Sequence, residues 1–248
     1  MKKAPKKDTT RTLNTLWEPP FPFPRGARHL PGKGIIAASP AIFSAIQARA
    51  PEPLEKNLGI FMLGGTSISF GHNYFLAGPI LGSPMAVMTL EVLIGGGAKE
   101  IVFAGFAGSL VPDINPGDLY FPSSALSTEG TSMHYQPGEM KPDTDLYAKV
   151  EKVFSPLGLH RQGVVWSTDG PFRETAELRQ SFIQKGASVV EMEVSALLSA
   201  ASFRKVKLAA VLLITDTFGK GDWYDGFKFP AYKNGLNSLS DNIWNVFR

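Results

Sequence analysis

Apolar and polar positions alternate along this chain in a way that predicts short buried strands separated by amphipathic helices. Runs such as "GIIAAS" (34–39), "LGIFML" (58–63), "NYFLAG" (73–78), "KEIVFAGF" (99–106) and "GDLYFP" (117–122) read as strands. "GVVWS" (163–167), "SVV" (188–190) and "KLAAVLLIT" (207–215) continue the series. Helices are expected over Pro84–Ile94, Asp145–Val153, Glu174–Gln184 and Ala231–Phe247. A further helix follows Glu193, where Val194, Leu197, Leu198 and Ala201 fall at i, i+3, i+4 and i+7. Strands alternating with helices predict a single three-layer α/β/α domain around a mixed, mostly parallel sheet, with sites at strand ends.

Composition narrows the function classes. The 248 residues suffice for one large α/β domain, and 44% hydrophobic with 19% charged residues describes a globular body. The absence of cysteine excludes disulfides, thiolate metal sites and a cysteine nucleophile, and fits a cytoplasmic protein. The formal charge is +3, but Lys2, Lys3, Lys6 and Lys7 alone exceed that surplus. The body is therefore nearly balanced, which argues against a nucleic-acid partner. No apolar run suggests a signal peptide or a membrane span. Residues 1–29 form a basic, Pro-rich arm that includes "WEPPFPFPRGARH", expected to be extended and to pack on the body or a neighbouring subunit; residues 30–248 form the domain. The four histidines, His29, His72, His134 and His160, lack metal-ligand spacing, so no metal site is expected.

Polar groups gather at four strand ends. "GFAGSL" (105–110) has two glycines that let backbone approach a ligand, or simply make a turn. "STDGPFRET" (167–175) combines Phe172, a ring for stacking, with Arg173, a donor; a capped turn with a core Phe and a solvated Arg explains it equally well. Asp216 follows the apolar run "LAAVLLI" across the single residue Thr215, where a carboxylate suits a general acid or a turn cap. The fourth place is "VVEMEVSALLSAA", with Glu191 and Glu193 around Met192 at a strand-to-helix junction. The helix dipole alone can account for acids there.

These segments, with "GPILGSPMAVMTLEVLIGGGAKEIVFAGFAGSL", "INPGDLYFP" and "LLITDTF" in this order, resemble the nucleoside phosphorylase family of purine nucleoside phosphorylases, uridine phosphorylases and methylthioadenosine nucleosidases. The resemblance runs from about Leu30 to the last helix. It implies an enzyme that cleaves the N-glycosidic bond of a nucleoside and needs no cofactor beyond phosphate as a possible co-substrate. Met192 and Glu193 would hold the ribose, with Glu193 steadying its hydroxyls as positive charge develops on the sugar. Glu191 carries less support and is left open as a solvated acid. Asp216 would protonate or hydrogen-bond N7 of a purine, and Phe172, Arg173, Ala107 and Gly108 would face the base. Purines are favoured on Asp216; uridine is the runner-up, since no glutamine accompanies Arg173. The resemblance also implies a homo-oligomer.

One departure bears on the acceptor. The family's phosphate-binding arginine and serine or threonine correspond here to Phe103 and Phe106, and its early phosphate loop to "LPGKGI". Family prevalence implies phosphorolysis. The two phenylalanines point instead to hydrolysis, or to nucleoside binding without turnover. The phosphate site is unassigned, with Arg25, Arg28 and Lys33 as the cations that could stand in.

Overall fold

A computed structural model describes residues 29–54, 56–59, 66–136, 138, 140–158, 160–218 and 223–248. The amino-terminal arm up to residue 28 and residues 60–63 of the expected second strand lie outside the described residues. The chain begins with β1 (Lys33–Ala37), α1 (Pro40–Gln47), β2 (Lys56–Gly59), β3 (Ser67–Phe70), β4 (Tyr74–Gly78), α2 (Ser83–Gly96) and β5 (Glu100–Ser109). It continues through β6 (Leu119–Ser127), α3 (Thr144–Phe154), β7 (His160–Ser167), α4 (Ala176–Gln184), β8 (Ala187–Glu191) and α5 (Val194–Arg204). β9 (Lys207–Thr217), the short β10 (Tyr224–Asp225) and α6 (Pro230–Asn242) follow, and a 3₁₀ turn over Ile243–Phe247 ends the chain.

The pattern of apolar positions in the long central strands explains the layers. Ile101 and Phe103 of β5, with Leu208, Ala210, Leu212 and Ile214 of β9, join the core shared with α2 and α5. The alternate residues, Val102, Ala104, Ala209, Val211 and Leu213, join a second core against α1, α3 and α6. A period of two thus sends successive side chains to opposite faces, and helices cover both. Val194, Leu197, Leu198 and Ala201 of α5 are buried as their spacing predicts. Ser195, Ala196, Ser199 and Ala200 are buried too, so α5 is enclosed all round and sits between the sheet and α2.

Three elements escaped the sequence reading: α1, β3 and the two-residue β10. α1 begins on Ser39, whose Oγ accepts the Ile42 N–H at 3.1 Å, with Pro40 as the first helical residue. β3 is only four residues long and pairs antiparallel with β2 and β4. The helix expected from Glu174 starts at Ala176, because Thr175 Oγ1 accepts the Leu178 N–H and acts as the cap. Glu174 is thereby left outside the helix.

The described strands form one mixed sheet in the order β10-β9-β6-β7-β8-β5-β1-β4-β3-β2. Their pairings divide evenly: β1–β4, β1–β5, β5–β9, β6–β7 and β7–β8 are parallel, while five others are antiparallel. The additional β9–β5 pairing closes β5, β9, β6, β7 and β8 into a ring. Closure brings the carboxyl ends of β5, β8 and β9 together, although they are distant in sequence. Gly108 lies opposite both Val190 of β8 and Asp216 of β9.

Candidate active site

At this convergence lies a cavity of about 490 Å³. Phe106, Ala107 and Gly108 come from β5, Val190, Glu191 and Met192 from the end of β8, and Thr215, Asp216 and Phe218 from the end of β9. Pro171, Phe172 and Glu174 reach it from the loop after β7, and Trp223 from the segment before β10. Of the sequence-derived candidates, Ala107, Gly108, Phe172, Met192 and Asp216 line this one space. Arg173 is exposed and lies outside the lining, as does Glu193.

Asp216 is fixed on two sides. Trp223 Nε1 donates to its Oδ2 at 2.9 Å and Thr215 Oγ1 donates to its Oδ1 at 2.8 Å. The β5–β9 register shifts between Ala107 and Gly108, which brings Gly108 against this carboxylate. A Cβ on Gly108 would lie 2.9 Å from Asp216 Oδ2. The second glycine of "GFAGSL" is therefore explained by the space it leaves for an acid, not by its backbone angles.

The Glu-Met-Glu junction differs from its sequence reading. Glu191 is buried rather than solvated, at 5% exposure. Its Oε2 accepts the N–H groups of Glu193 (2.7 Å) and Val194 (2.8 Å), so it caps the first turn of α5. Its Oε1 accepts from Ser167 Oγ, which in turn accepts the Ser195 N–H at 2.9 Å. Burial, followed by the neighbouring Glu193 charge, pushes the Glu191 carboxyl up to about 8. Glu193 is also buried, and its Oε1 accepts the Gly82 N–H ahead of α2 at 2.6 Å. Its carboxyl is raised as well, chiefly by burial. Ser83 Oγ donates to Met192 O at 2.6 Å, so the start of α2 holds the junction on its other side.

Glu174, freed by the late start of α4, is a cavity acid that the sequence reading missed. Loss of solvation, and then the charge of Asp216, lift its carboxyl to about 7. Arg179 Nη1 donates to the Glu174 carbonyl at 2.8 Å, and its guanidinium lies 4.0 Å from the centroid of the Phe218 ring. Glu174 stood within "STDGPFRET" at the expected start of α4, and was given no role there. Trp223 and Phe218 carried no local signal, because their place depends on β9 and β10.

The two phenylalanines at the family's phosphate-binding places part company here. Phe103 is fully buried against α2 and α5. Phe106 lines the cavity and packs edge-on against Phe227 at 5.6 Å. Lys33 pairs in register with Glu100, at the opposite end of β5 from Phe106. Six strand residues put it roughly 20 Å from the cavity, so it cannot stand in for the lost arginine. Arg25 and Arg28 lie outside the described residues.

Comparison with known proteins identifies the family and the fold. The phosphorylase superfamily model matches residues 33–230, so the chain belongs to that superfamily, whose members include nucleoside phosphorylases and nucleosidases. It is 31% identical over 148 residues to uridine phosphorylase from Treponema pallidum (strain Nichols). That match covers 54% of this chain and 57% of the relative, so the chain spans little more than half of that relative's length. The fold is similar to a purine nucleoside phosphorylase from Toxoplasma gondii crystallised with immucillin-H, with a TM-score of 0.74 at 18% identity over 88% of this chain and 90% of that one. It is also similar to a futalosine hydrolase mutant from Helicobacter pylori strain 26695, with a TM-score of 0.71 at 17% identity over 88% and 99% of the two chains. Within the described residues no helix is long and apolar enough to cross a membrane.

Proposed function

We propose that this protein cleaves the N-glycosidic bond of a purine nucleoside, with water as the acceptor. The observation that carries the bond-cleaving role is Asp216. It stands at the end of β9, held by Trp223 and Thr215, in a cavity that Met192 and Glu191 also line. A carboxyl group fixed in this way can give a proton to, or share one with, N7 of a purine as the bond breaks. The departing base then leaves neutral, a general-acid contribution of about 10²–10⁴ in rate. Phe172 at the rim offers a face for stacking. Met192 packs against the sugar, and Glu193 beneath the junction supports the ribose hydroxyls.

The choice of water follows from the electrostatics of the lining. Among the described lining residues there are three acids, Glu174, Glu191 and Asp216, and no lysine or arginine. Phosphate needs concentrated donors and positive charge, and Phe106 offers neither. The Asp216 carboxylate, joined by Glu174 when that group is ionised, repels an incoming dianion, whereas Glu191, raised to about 8, adds no charge at neutral pH. The same argument favours a nucleoside over a nucleotide. Because the superfamily fold serves both a phosphorylase and a hydrolase, it does not select the acceptor.

Incubation with inosine, adenosine and uridine, each with and without phosphate, tests this reading. Chromatography separates free ribose from ribose 1-phosphate. Free ribose at a rate independent of phosphate is expected from the purine nucleosides. Ribose 1-phosphate as the product would replace hydrolysis by phosphorolysis, and cleavage of uridine alone would overturn the purine assignment.

A further inference from the structure

We infer that Glu129, a buried acid on the loop after β6, is a positioning residue for the Glu-Met-Glu junction and acts on it through Ser195. This rests on the nucleoside reading above and adds to it a residue that lies outside the cavity lining. Glu129 is 6% exposed, and both of its carboxylate oxygens are taken up. Oε2 accepts the N–H groups of Thr131 (2.6 Å) and Ser132 (3.0 Å). Oε1 accepts from Ser127 Oγ at 2.8 Å and from Ser195 Oγ at 2.9 Å. Burial by itself would raise this carboxyl, but the hydrogen bonds from Ser132, Ser127 and Ser195 outweigh it and hold Glu129 below its ordinary value. An ionised acid enclosed in this way is fixed in place, because moving it strands both the charge and its donors.

Three of those donors belong to the loop of Glu129 itself and would tie down that loop whatever its purpose. Ser195 is different. It lies 66 residues further on, fully buried in the first turn of α5. Its hydroxyl reaches Glu129, while its N–H bonds to Ser167 Oγ at 2.9 Å. Ser167 Oγ donates to Glu191, whose other oxygen takes the N–H groups of Glu193 and Val194. The N–H groups that open α5 are thus held in one network, and Glu129 is its ionised end. The loop is fastened to β7 as well: Thr128 N–H donates to Ser167 O at 2.9 Å, and Trp166 Nε1 donates to Thr128 Oγ1 at 2.8 Å.

The first N–H groups of a helix have no partner within it, so the place of the helix start depends on what receives them. Met192 and Glu193 sit between this network and the start of α2, where Gly82 N–H donates to Glu193 and Ser83 Oγ donates to Met192 O. Cutting the contact between Ser195 and Glu129 frees the α5 side while the α2 side keeps its hold. Glu193 then shifts relative to the sugar it supports.

Ser195→Ala and Glu129→Gln, alone and together, test this with the nucleoside that the parent cleaves fastest. Ser195→Ala removes only the linking hydroxyl and is expected to fold. It should lower kcat/KM about tenfold, the cost of a misplacement of roughly half an ångström, with more of the loss in kcat than in KM because Glu193 matters most as charge develops on the sugar. Glu129→Gln should do the same, and the double variant should be no slower than the slower single one, since both changes cut one link. Ser127→Ala is the control: it takes a donor from the same oxygen within the loop, so it should lower the melting temperature while kcat/KM stays parental. Additive losses in the double variant, parental kcat in Ser195→Ala, or an equal loss in Ser127→Ala overturns the inference and leaves the proposed function standing. If Glu129→Gln does not fold, the contrast between Ser195→Ala and Ser127→Ala decides alone. A parent that cleaves no nucleoside overturns the proposed function, and calorimetric binding of inosine then decides the inference. It stands if Ser195→Ala weakens binding and Ser127→Ala does not, and it falls if both bind as the parent does or the parent does not bind.

Discussion

Gly108→Ala isolates the geometric claim at the centre of the site. The new Cβ would stand 2.9 Å from Asp216 Oδ2, whereas ordinary contact begins at 3.4 Å, so the carboxylate must retreat by about 0.5 Å. Gly108 has no positive φ, and the three atoms nearest the added Cβ all belong to the Asp216 side chain. The backbone therefore accepts alanine, and the strain falls on the acid. A retreat of that size stretches the 2.9 Å bond from Trp223 Nε1 to the limit of hydrogen bonding. Losing it costs about 1 kcal/mol of stability. The reduced freedom of the unfolded chain on replacing glycine returns roughly 0.4–1 kcal/mol. The melting temperature should thus move by only a few degrees. Catalysis should suffer more: a 1 Å misplacement of a reacting group costs on the order of 10²-fold, so half of that implies about tenfold in kcat/KM. Base release from inosine or adenosine, followed spectrophotometrically beside a thermal melt, measures both. A variant with parental kcat/KM refutes the placement of Asp216 at the reacting base, and a variant that no longer folds refutes the claim that only a side chain has to yield.

Glu193→Gln should keep its acceptor for the Gly82 N–H and so retain the fold, while losing about 2 kcal/mol of transition-state stabilisation, roughly thirtyfold in kcat/KM; unchanged kinetics at an unchanged melting temperature would remove Glu193 from the ribose site. Glu191 gives a prediction for pH and stability. Its carboxyl titrates near 4.5 in the unfolded chain and about 8 in the folded one, so the folded state holds the extra proton between those values and stability falls as pH rises through the window. Urea unfolding at pH 5, 6.5 and 8 should show Glu191→Gln gaining on the parent as pH rises, by at most about 1.4 kcal/mol per pH unit; parallel profiles for the two proteins would contradict a buried, protonated Glu191.

Periodicity by itself determined the layers. The alternation in "IVFA" and "LAAVLLI" could only be satisfied by strands with helices on both faces, because each strand carries apolar groups on both sides. It also placed Asp216 and Glu-Met-Glu at strand ends, since the apolar run stops at Glu191 in one case and one residue short of Asp216 in the other. Local capping chemistry was legible but overlooked at Ser39, and the cap read within "STDGPFRET" was not assigned to Thr175, which hid Glu174 inside an expected helix. The arrangement of the site belongs to the tertiary structure. Gly108 meets Asp216 only because β9 pairs with β5 across an irregular register, and Trp223 reaches the same acid only where β10 turns back along β9. Glu191 became a buried cap rather than a solvated acid because the start of α5 is enclosed by Ser167 and the strand ends around it. Hydrophobic spacing depends on a residue's near neighbours, so it can be read along the chain. The proton occupancy and direction of a carboxylate depend on what closes over it, and here that is supplied by strands far apart in sequence.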